Sequence, residues 1–432
     1  MKIALSSYSG YGAWFALKLQ LEGHKVDYYL SLPQYQDILG GLVSPKVVKL
    51  DHRRNEVGFP EYKKYDLSLF DLTGRKFQAN HSLKQCPTIG DGIWHCIMED
   101  DRMQGIKMME AANVNVPPYE EFADVNAAKS FIKKTGKRYV YKPNGGQDQD
   151  AATTYVSKSA EDLLQVIDKV FTSSKGTPFV LQEFIEGTEC SVEGWFNGQD
   201  FYCLNCTIED KKFMCDNVGP NTGCSGNLVF TLGSKARIFV EGLEKCKNVL
   251  ASIGFQGMID LNSILTETQL YGLEWTPRFG YDASATLACM YGGDYGELLR
   301  RTATGEIPEQ SWKAEFGASV RITIPPYPTE IRLPKLQGVP IEGIDLNDPE
   351  EMLKTYMYDV KVGKKDHLEC AGINGLLLCP IETGSSPVEA FEKLQSRVKK
   401  IQVPDMQYRS DIQKSTLKRY FKLDEQGWFT NV

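Results

Sequence analysis

Gly257-Met258-Ile259-Asp260-Leu261-Asn262 runs into the polar turn Thr266-Glu267-Thr268-Gln269 and then into Leu273-Glu274-Trp275-Thr276-Pro277-Arg278-Phe279-Gly280. The stretch reads as a β-hairpin. Centred on Glu267, it sets Asp260 opposite Glu274, and directly opposed strand residues have Cβ atoms about 4.5–5.5 Å apart. Two like charges that close repel unless something neutralises them, and a divalent cation is the usual remedy. Carboxylate oxygens, with the other positions left to water and phosphate, are what Mg²⁺ takes when it carries a nucleotide. Thr276 and Arg278 follow Glu274 at steps of two and share its face. They would present an oxygen and a guanidinium where a metal and a phosphoryl group sit. The plainer reading is a surface hairpin with two solvated acids. The rest of the chain decides between them.

The 432 residues leave room for two to four domains with substantial cores. Hydrophobic residues at 42% beside 24% charged ones give the balance of a soluble globular protein. A net charge of −7 argues against nonspecific nucleic-acid binding, which draws on a basic surface releasing counterions. No apolar run approaches the roughly 20 residues that span a bilayer, so no membrane partner is expected. The amino terminus, Met1-Lys2-Ile3-Ala4-Leu5-Ser6-Ser7, enters a strand at once and leaves no room for a signal peptide. The expected location is the cytoplasm. The 11 cysteines are an odd number without secretory signals, so free thiols are expected. Cys203-Leu204-Asn205-Cys206 has CxxC spacing. No second pair joins it, so it reads as strand packing rather than as a four-ligand zinc site.

Three blocks follow: 1–100, 101–307 and 308–432. The first opens as βαβ, with a strand at Ile3 to Leu5, the loop Ser9-Gly10-Tyr11-Gly12, a helix to about Leu21 and a strand from Val26 to Leu30. A further strand, Leu67 to Phe70, ends at Asp71-Leu72-Thr73-Gly74, where parallel strands place ligand loops. Phe15 stands at the third glycine position of GxGxxG, which weakens a dinucleotide reading. Gly10 and Gly12 still suit an anion loop, because amides at a helix N-terminus point at what binds there. The second block alternates helices and strands. A helix from Asp124 to Thr135 stops at Gly136, and Arg138 to Lys142 follows as a strand. The loop Pro143 to Asp150, a strand at Thr154 to Val156, a helix carrying Leu163, Ile167 and Phe171, and the strand Phe179 to Gln182 come next. The third block is α+β. Its clearest helix starts with the capping box Ser386-Pro387-Val388-Glu389.

The order of groups in the second block points to a nucleotide. Lys142 ends a strand before a glycine-bearing loop, which suits a lysine reaching phosphates that loop amides also contact. Gln182-Glu183-Phe184-Ile185 then leaves a strand through a hinge able to offer backbone groups to an adenine edge. Phe184 or Ile185 would wall the base, and Glu189 would reach ribose hydroxyls. Taken singly, each is more ordinary: a solvated lysine, a strand with an acidic turn. The series of lysine, glycine loop, hinge with a trailing glutamate, and paired acids with an arginine is the order an ATP site needs.

At this point the chain resembles the ATP-grasp superfamily, and in detail the phosphoribosylamine–glycine ligase family, also called glycinamide ribonucleotide synthetase. Gly219-Pro220-Asn221-Thr222-Gly223-Cys224-Ser225-Gly226 is very similar to the family's GPNTGGMG. Glu274-Trp275-Thr276-Pro277-Arg278-Phe279-Gly280 resembles its metal-binding E-x-N-x-R-F-G, and Tyr408-Arg409-Ser410-Asp411-Ile412 its closing Y-R-x-D-I-G. Lys107, Lys142 and the hinge fall in compatible places. The resemblance implies an ATP-grasp fold with an N-terminal Rossmann-like βαβ domain and a C-terminal α+β domain. It differs at Thr276, which replaces the family's metal-ligating asparagine, and at Tyr281-Asp282-Ala283, which replaces D-P-E. The loops at Ser9 to Ala13 and Asp71 to Gly74 also depart from the family's, which bears on the amine substrate more than on the chemistry.

The activity the resemblance implies is ATP-dependent amide synthesis through an acyl phosphate, with glycine and phosphoribosylamine as leading substrates and ATP with Mg²⁺ or Mn²⁺ as cofactors. Asp260, Glu274 and Thr276 would hold the metal. Lys107 and Lys142 would neutralise the α and β phosphates. Gln182, Glu183, Phe184, Ile185 and Glu189 would bind the nucleoside. Arg278 would stabilise the transferring phosphoryl. Gly10, Gly12, Asn221, Thr222, Gly223 and Arg409 would help to seat the substrates. An acyl phosphate must be kept from water, which makes the Gly145-Gly146 loop the expected lid. The partners implied are a small-molecule amine and an amino acid, acting on a monomer or homodimer. The rival readings are the same chemistry on another amine or acid, and a nucleotide-binding relative that has lost catalysis.

Overall fold

The strand Lys2–Ser7 lies at the centre of a parallel sheet, between Lys25–Leu30 and Leu67–Phe70, with Lys46–Val47 and Thr88–Ile89 at the two edges. This computed structural model describes the chain except residues 49, 52–55, 58–61, 72–85, 91, 145–153, 174–176, 330–333 and 365. The βαβ opening is therefore present, with the helix Ala13–Leu21 crossing between its first two strands. That helix has little polar surface, because it is covered on both sides. Trp14 meets Tyr356, and Phe15 meets Phe279, so residues far along the chain cap the N-terminal sheet.

The next unit is a small lobe. Its antiparallel sheet has the order Tyr155–Val156, Tyr139–Pro143, Phe179–Glu183, Tyr119–Phe122. The helix Val125–Thr135 begins where Asp124 accepts from the Asn126 and Ala127 amides, and ends at Gly136 with φ +62°. Both ends are the ones its sequence signals. Strand alternation divides the lobe's side chains. Tyr139, Tyr141, Phe179 and Leu181 pack with Ala128, Ile132, Leu163 and Ile167 in a core of their own. Lys142, Val180 and Gln182 fall on the other face, where Val180 packs on Met103 and Ile106 of the helix Arg102–Ala111.

Beside a three-stranded sheet of Pro340–Ile341, Leu368–Cys370 and Val360–Val362 and the pair Leu50–Asp51 and Glu56–Val57, nine of the remaining strands form one sheet. Leu270–Thr276, Gly257–Leu265, Thr188–Phe196, Phe201–Met214 and Val218–Thr231 follow one another across it, and Phe316–Val320 and Leu376–Gly384 continue it. The pairing of Val218–Thr231 with Phe316–Val320 carries the ladder from the second block of sequence into the third. One large hydrophobic core runs from Ile3 to Trp428 beneath these elements. Cys203 and Cys206 are buried free thiols in the strand Phe201–Met214, as strand packing requires. Ser386 caps the helix Pro387–Val398 through the Glu389 amide, while the Glu389 carboxylate reaches back to the Ser385 amide. Among the described residues, no helix is long and apolar enough to cross a membrane.

The hairpin corrects the expected register. The turn closes with the Thr266 amide donating to Gln269, so Leu265 pairs with Leu270 and Ser263 with Gly272. Leu273 is then an extra residue, a β-bulge, and beyond it Asn262 faces Glu274 while Asp260 faces Thr276. Asp260 and Glu274 are therefore diagonal neighbours rather than an opposed pair. The bulge has a purpose. Without it Trp275 would face Asp260, whereas with it Trp275 turns away, is buried, and donates its indole N–H to the Gly105 carbonyl at 3.0 Å. Asp260, Asn262, Glu274 and Thr276 are left together on one face.

Candidate active site

That face floors a cavity of about 820 Å³. The hairpin supplies Asp260, Asn262, Glu274 and Thr276, and the following turn adds Arg278. The neighbouring strand Phe201–Met214 adds Glu209 and Lys211. The helices Ile93–Asp100 and Arg102–Ala111 close one side with Glu99 and Arg102.

One end of the cavity gathers basic and acidic side chains. Arg102 stands 3.6 Å from the Glu274 carboxylate and donates to the Pro143 carbonyl at 3.1 Å. Lys211 pairs with Glu189 at 2.5 Å. Burial opposes ionisation of Glu274, but Lys211, Arg102 and Lys142 hold its carboxyl down at about 2. Lys142 is buried, and burial together with repulsion from Arg102 lowers its ammonium to about 8 despite Glu274 and Glu189. Arg102, Lys142 and Lys211 give a polyphosphate three basic groups to meet.

The metal-ligand candidates fit a hard cation. Asp260 Oδ1 and Asn262 Oδ1 are buried oxygens with no hydrogen-bond partner in the protein. Burial, then the charges of Glu193 and Glu209, push the Asp260 carboxyl well above the usual range. A buried acid and amide oxygen left unsatisfied beside an ionised Glu274 form a donor set suited to Mg²⁺. Arg278 is held by Glu99, donating from Nε at 3.0 Å and from Nη2 at 2.8 Å to the same carboxylate oxygen. This pairing aims the guanidinium without consuming all five of its donors.

The other end is lined by Tyr11, Asn221, Thr222, Gly223, Tyr281 and Arg321. Gly223 has φ +77°, a conformation that favours glycine. The Thr222 hydroxyl is engaged by Ser225 Oγ at 2.8 Å, and its carbonyl accepts from Arg321 Nη1 at 2.8 Å. Arg321 is tied to the buried Asp282 at 2.6 Å, and Tyr358 also donates to Asp282. Asn221 is exposed to the cavity.

Several expected residues lie elsewhere. Lys107 is exposed on its helix and does not line the cavity; Arg102, five residues earlier, does. In the hinge, Glu183 pairs with Lys137 at 2.8 Å, and Phe184 packs under the Arg138 guanidinium, 3.3 Å from its ring centre. The Glu183 and Phe184 amides donate to Pro118 and Arg138. Ile185 is the hinge residue these contacts leave, with the buried Gln182 before it. The helix N-terminus at Gly10 and Gly12 is already occupied by the Asp71 carboxyl group. The Gly12 amide and Ser7 hydroxyl donate to that carboxyl, Ser7 at 2.6 Å, and a Cβ on Gly12 would stand 2.5 Å from Asp71 Oδ2. Tyr11, between the two glycines, is the residue that reaches the cavity. Arg409 is buried away from it, pairing with Asp411 at 2.7 Å and donating to the Lys212 carbonyl and to Asn217. The Gly145-Gly146 loop and Leu72-Thr73-Gly74 lie outside the described residues.

Arg102, Glu99, Lys211, Glu209, Asn262 and Arg321 are cavity residues that the sequence reading passed over. For Asn262 a signal existed: it is two residues from Asp260 and shares its face. Lys211 also had one, standing two residues after Glu209 on a strand leading to the Gly219–Gly226 segment.

Comparison with known proteins agrees with this geometry. Residues 103–283 match the family described as phosphoribosylglycinamide synthetase, ATP-grasp (A) domain. The phosphoribosylamine–glycine ligase of Leptospira interrogans serogroup Icterohaemorrhagiae serovar Lai is 24% identical over 340 residues, covering 76% of this chain and 77% of that one. The phosphoribosylamine–glycine ligase of Brucella melitensis is 26% identical over 314 residues, covering 70% and 71%. In structure, the phosphoribosylamine–glycine ligase of Thermotoga maritima superposes with a TM-score of 0.75 at 18% identity, covering 95% of this chain and all of that one. Biotin carboxylase from Campylobacter jejuni shares the fold at a TM-score of 0.64 and 13% identity, covering 94% and 92%. A cleft between a small antiparallel lobe and a large sheet defines an ATP-grasp protein. Residues 103–283 carry the ATP-grasp domain of that family's model, and the chain is similar to phosphoribosylamine–glycine ligases over about three quarters of its length.

Proposed function

We propose that the chain is an ATP-dependent carboxylate–amine ligase joining glycine to phosphoribosylamine, with release of ADP and phosphate. The observation that carries this reading is the Asn262–Glu274 pair. It sets an unsatisfied amide oxygen against an ionised carboxylate on the floor of a cavity whose walls hold Lys211, Arg102 and Arg278.

In this reading Asp260, Asn262 and Glu274, with Thr276 beside them, hold Mg²⁺ or Mn²⁺, which neutralises phosphate charge. Arg102, Lys142 and Lys211 bind the phosphates. The hinge at Gln182 and Ile185 takes the base, and Glu189 the ribose. The glycine carboxylate attacks the γ-phosphorus, the bond to ADP breaks, and an acyl phosphate forms. Arg278, held by Glu99, lies where it stabilises the transferred group. The amine then attacks the acyl carbon, phosphate leaves, and the amine's proton is lost to water or phosphate. Asn221 and Gly223 line the end where the amine enters, with Tyr11 and Tyr281 opposite. The cytoplasm is the compartment this reaction suits.

The test is mass spectrometry of products after incubation with ATP, Mg²⁺, glycine and phosphoribosylamine formed in situ, beside a panel of other amines. Glycinamide ribonucleotide with stoichiometric ADP supports the proposal. An amide formed only with a different amine would keep the chemistry and replace the substrate. Nucleotide binding without ADP release under every combination would overturn it.

A further inference from the structure

Tyr281 has a backbone conformation that tyrosine rarely adopts. Its φ is +45° and its ψ −107°, at positive φ but outside the left-handed helical well. A non-glycine residue held there stores strain, and such strain persists only where the surroundings over-determine it. Here they do. On one side the Gly280 amide donates to Ser284 Oγ at 2.6 Å. On the other, Asp282 opens the helix Asp282–Met290, every residue of which is buried, and its carboxylate is gripped by Arg321 and Tyr358. The Tyr281 ring meets Tyr11 nearly at right angles, 5.8 Å between centres, and Tyr11 meets Tyr358 in the same way at 5.2 Å. The circuit from Tyr281 through Tyr11 and Tyr358 closes on Asp282, the strained residue's own neighbour.

What the conformation achieves is the placing of the ring. Arg278 donates from Nε and Nη2 to Glu99 and from Nη1 to the Phe279 carbonyl at 3.0 Å. Bonds from these donors lie in the guanidinium plane, so they grip its edge and leave the plane free to rock. Tyr281 makes a contact of another kind. The guanidinium carbon stands over its ring, 5.1 Å from the centre, within the range of cation–π attraction. Both side chains line the cavity. A ring that only filled space could be borne on an unstrained backbone.

We infer that Tyr281 is a positioning residue for Arg278: its strained backbone holds the ring against the guanidinium, which Glu99 grips by the edge, and so fixes its aim at the transferred phosphoryl. This rests on the proposed reaction, in which Arg278 meets that group.

The test is ADP release from radiolabelled ATP with Mg²⁺, glycine and phosphoribosylamine formed in situ, read beside thermal unfolding of the same full-length variants. Tyr281→Leu should lower kcat about tenfold while KM for ATP changes little. Tyr281→Met serves if the leucine variant does not fold. Tyr281→Phe, which keeps the ring face, should recover most of the loss. In an Arg278→Gln background the leucine substitution should change the rate by less than about twofold, because residues that act through one another are not additive. Tyr281→Gly should unfold at a higher temperature than Tyr281→Ala, reversing the usual order, since only glycine relieves the strain. Equal kcat in Tyr281→Leu and the wild type, or an undiminished effect of that change beside Arg278→Gln, overturns the inference and leaves the proposed reaction standing. So does a Tyr281→Ala chain at least as stable as Tyr281→Gly. A wild-type chain that releases no ADP overturns the proposed reaction, and this role with it.

Discussion

Asn262 stands directly across the hairpin from Glu274, and the Leu273 bulge is what brings them together. In the proposed reading, the amide oxygen it offers would replace the ligand that the family's asparagine supplies and Thr276 offers more weakly. Asn262→Leu should raise the Mg²⁺ concentration for half-maximal ADP formation by about tenfold or more. Asn262→Asp should retain metal use. Titration of activity with Mg²⁺ at fixed ATP measures both. An unchanged midpoint in Asn262→Leu would remove this residue from the metal site.

Glu274 is the ionised anchor of the cleft. Glu274→Gln should lower the rate of ADP formation by roughly 10²–10³, in the range seen when one electrostatic contact to the transition state is removed. Its fold should persist, because the side chain faces the cavity rather than the core. Single-turnover kinetics with circular dichroism separate the two effects.

Lys142 should make nucleotide affinity depend on pH. Its folded-state pKa of about 8 lies below the ordinary lysine value, so its charge is lost as pH rises through 8. ATP should therefore bind more weakly at pH 9 than at pH 7. Lys142→Met should bind weakly at both and lose most of that pH dependence. Equilibrium binding of a nonhydrolysable ATP analogue across this range is the measurement.

Asp71 should shape stability. Burial raises its carboxyl from 3.8 to about 7, with Ser7 and Gly12 only partly offsetting it. The native state then holds a proton that the unfolded chain has released, so stability is full below about pH 4 and is lost as pH rises through 7. Glu193, also raised to about 7 by burial, titrates in the same window. Asp71→Asn should flatten the fall in Tm between pH 5 and 8 without abolishing it. A wild-type profile without that fall would contradict the burial of a free carboxyl here.

Arg409 is expected to matter for folding rather than for substrate. It is buried between Asp411 and Asp210 and fastens the segment around Asn217. Breaking a buried pair from one side costs about 3–5 kcal/mol. Arg409→Met should lower Tm markedly while leaving KM for ATP and glycine unchanged in the folded enzyme. A selective rise in KM with normal Tm would restore it to the substrate site.

Much of the candidate site's floor was legible because it rests on strand periodicity. Steps of two from Glu274 to Thr276, and from Asp260 to Asn262, place side chains on one face whatever the exact register. The register itself was not legible. A bulge at Leu273 leaves no compositional mark, and only the need to bury Trp275 against Gly105 explains it. The helix caps at Asp124, Gly136 and Ser386 were readable because capping is local chemistry. Partners brought together from distant segments were not. Glu99 and Arg278 are 179 residues apart, and nothing near either one announces the pair. Gly12 misled for a related reason: a helix N-terminus attracts acidic groups, but here the place is taken by the Asp71 carboxyl, brought from a distant strand end, which cannot be seen in the loop alone.

The ladder between Val218–Thr231 and Phe316–Val320 bears on how this enzyme can be trimmed or moved. Cutting the chain at residue 307 would strip the strand that covers Val218–Thr231 and expose a raw edge beside Asn221 and Gly223. The small lobe, by contrast, has its own core and presents Lys142 toward the rest. The ladder ties the third block of sequence to the second, while the small lobe packs about its own core. A shortened catalyst would have to keep its tail, whereas a hinge mutation would be felt at Lys142.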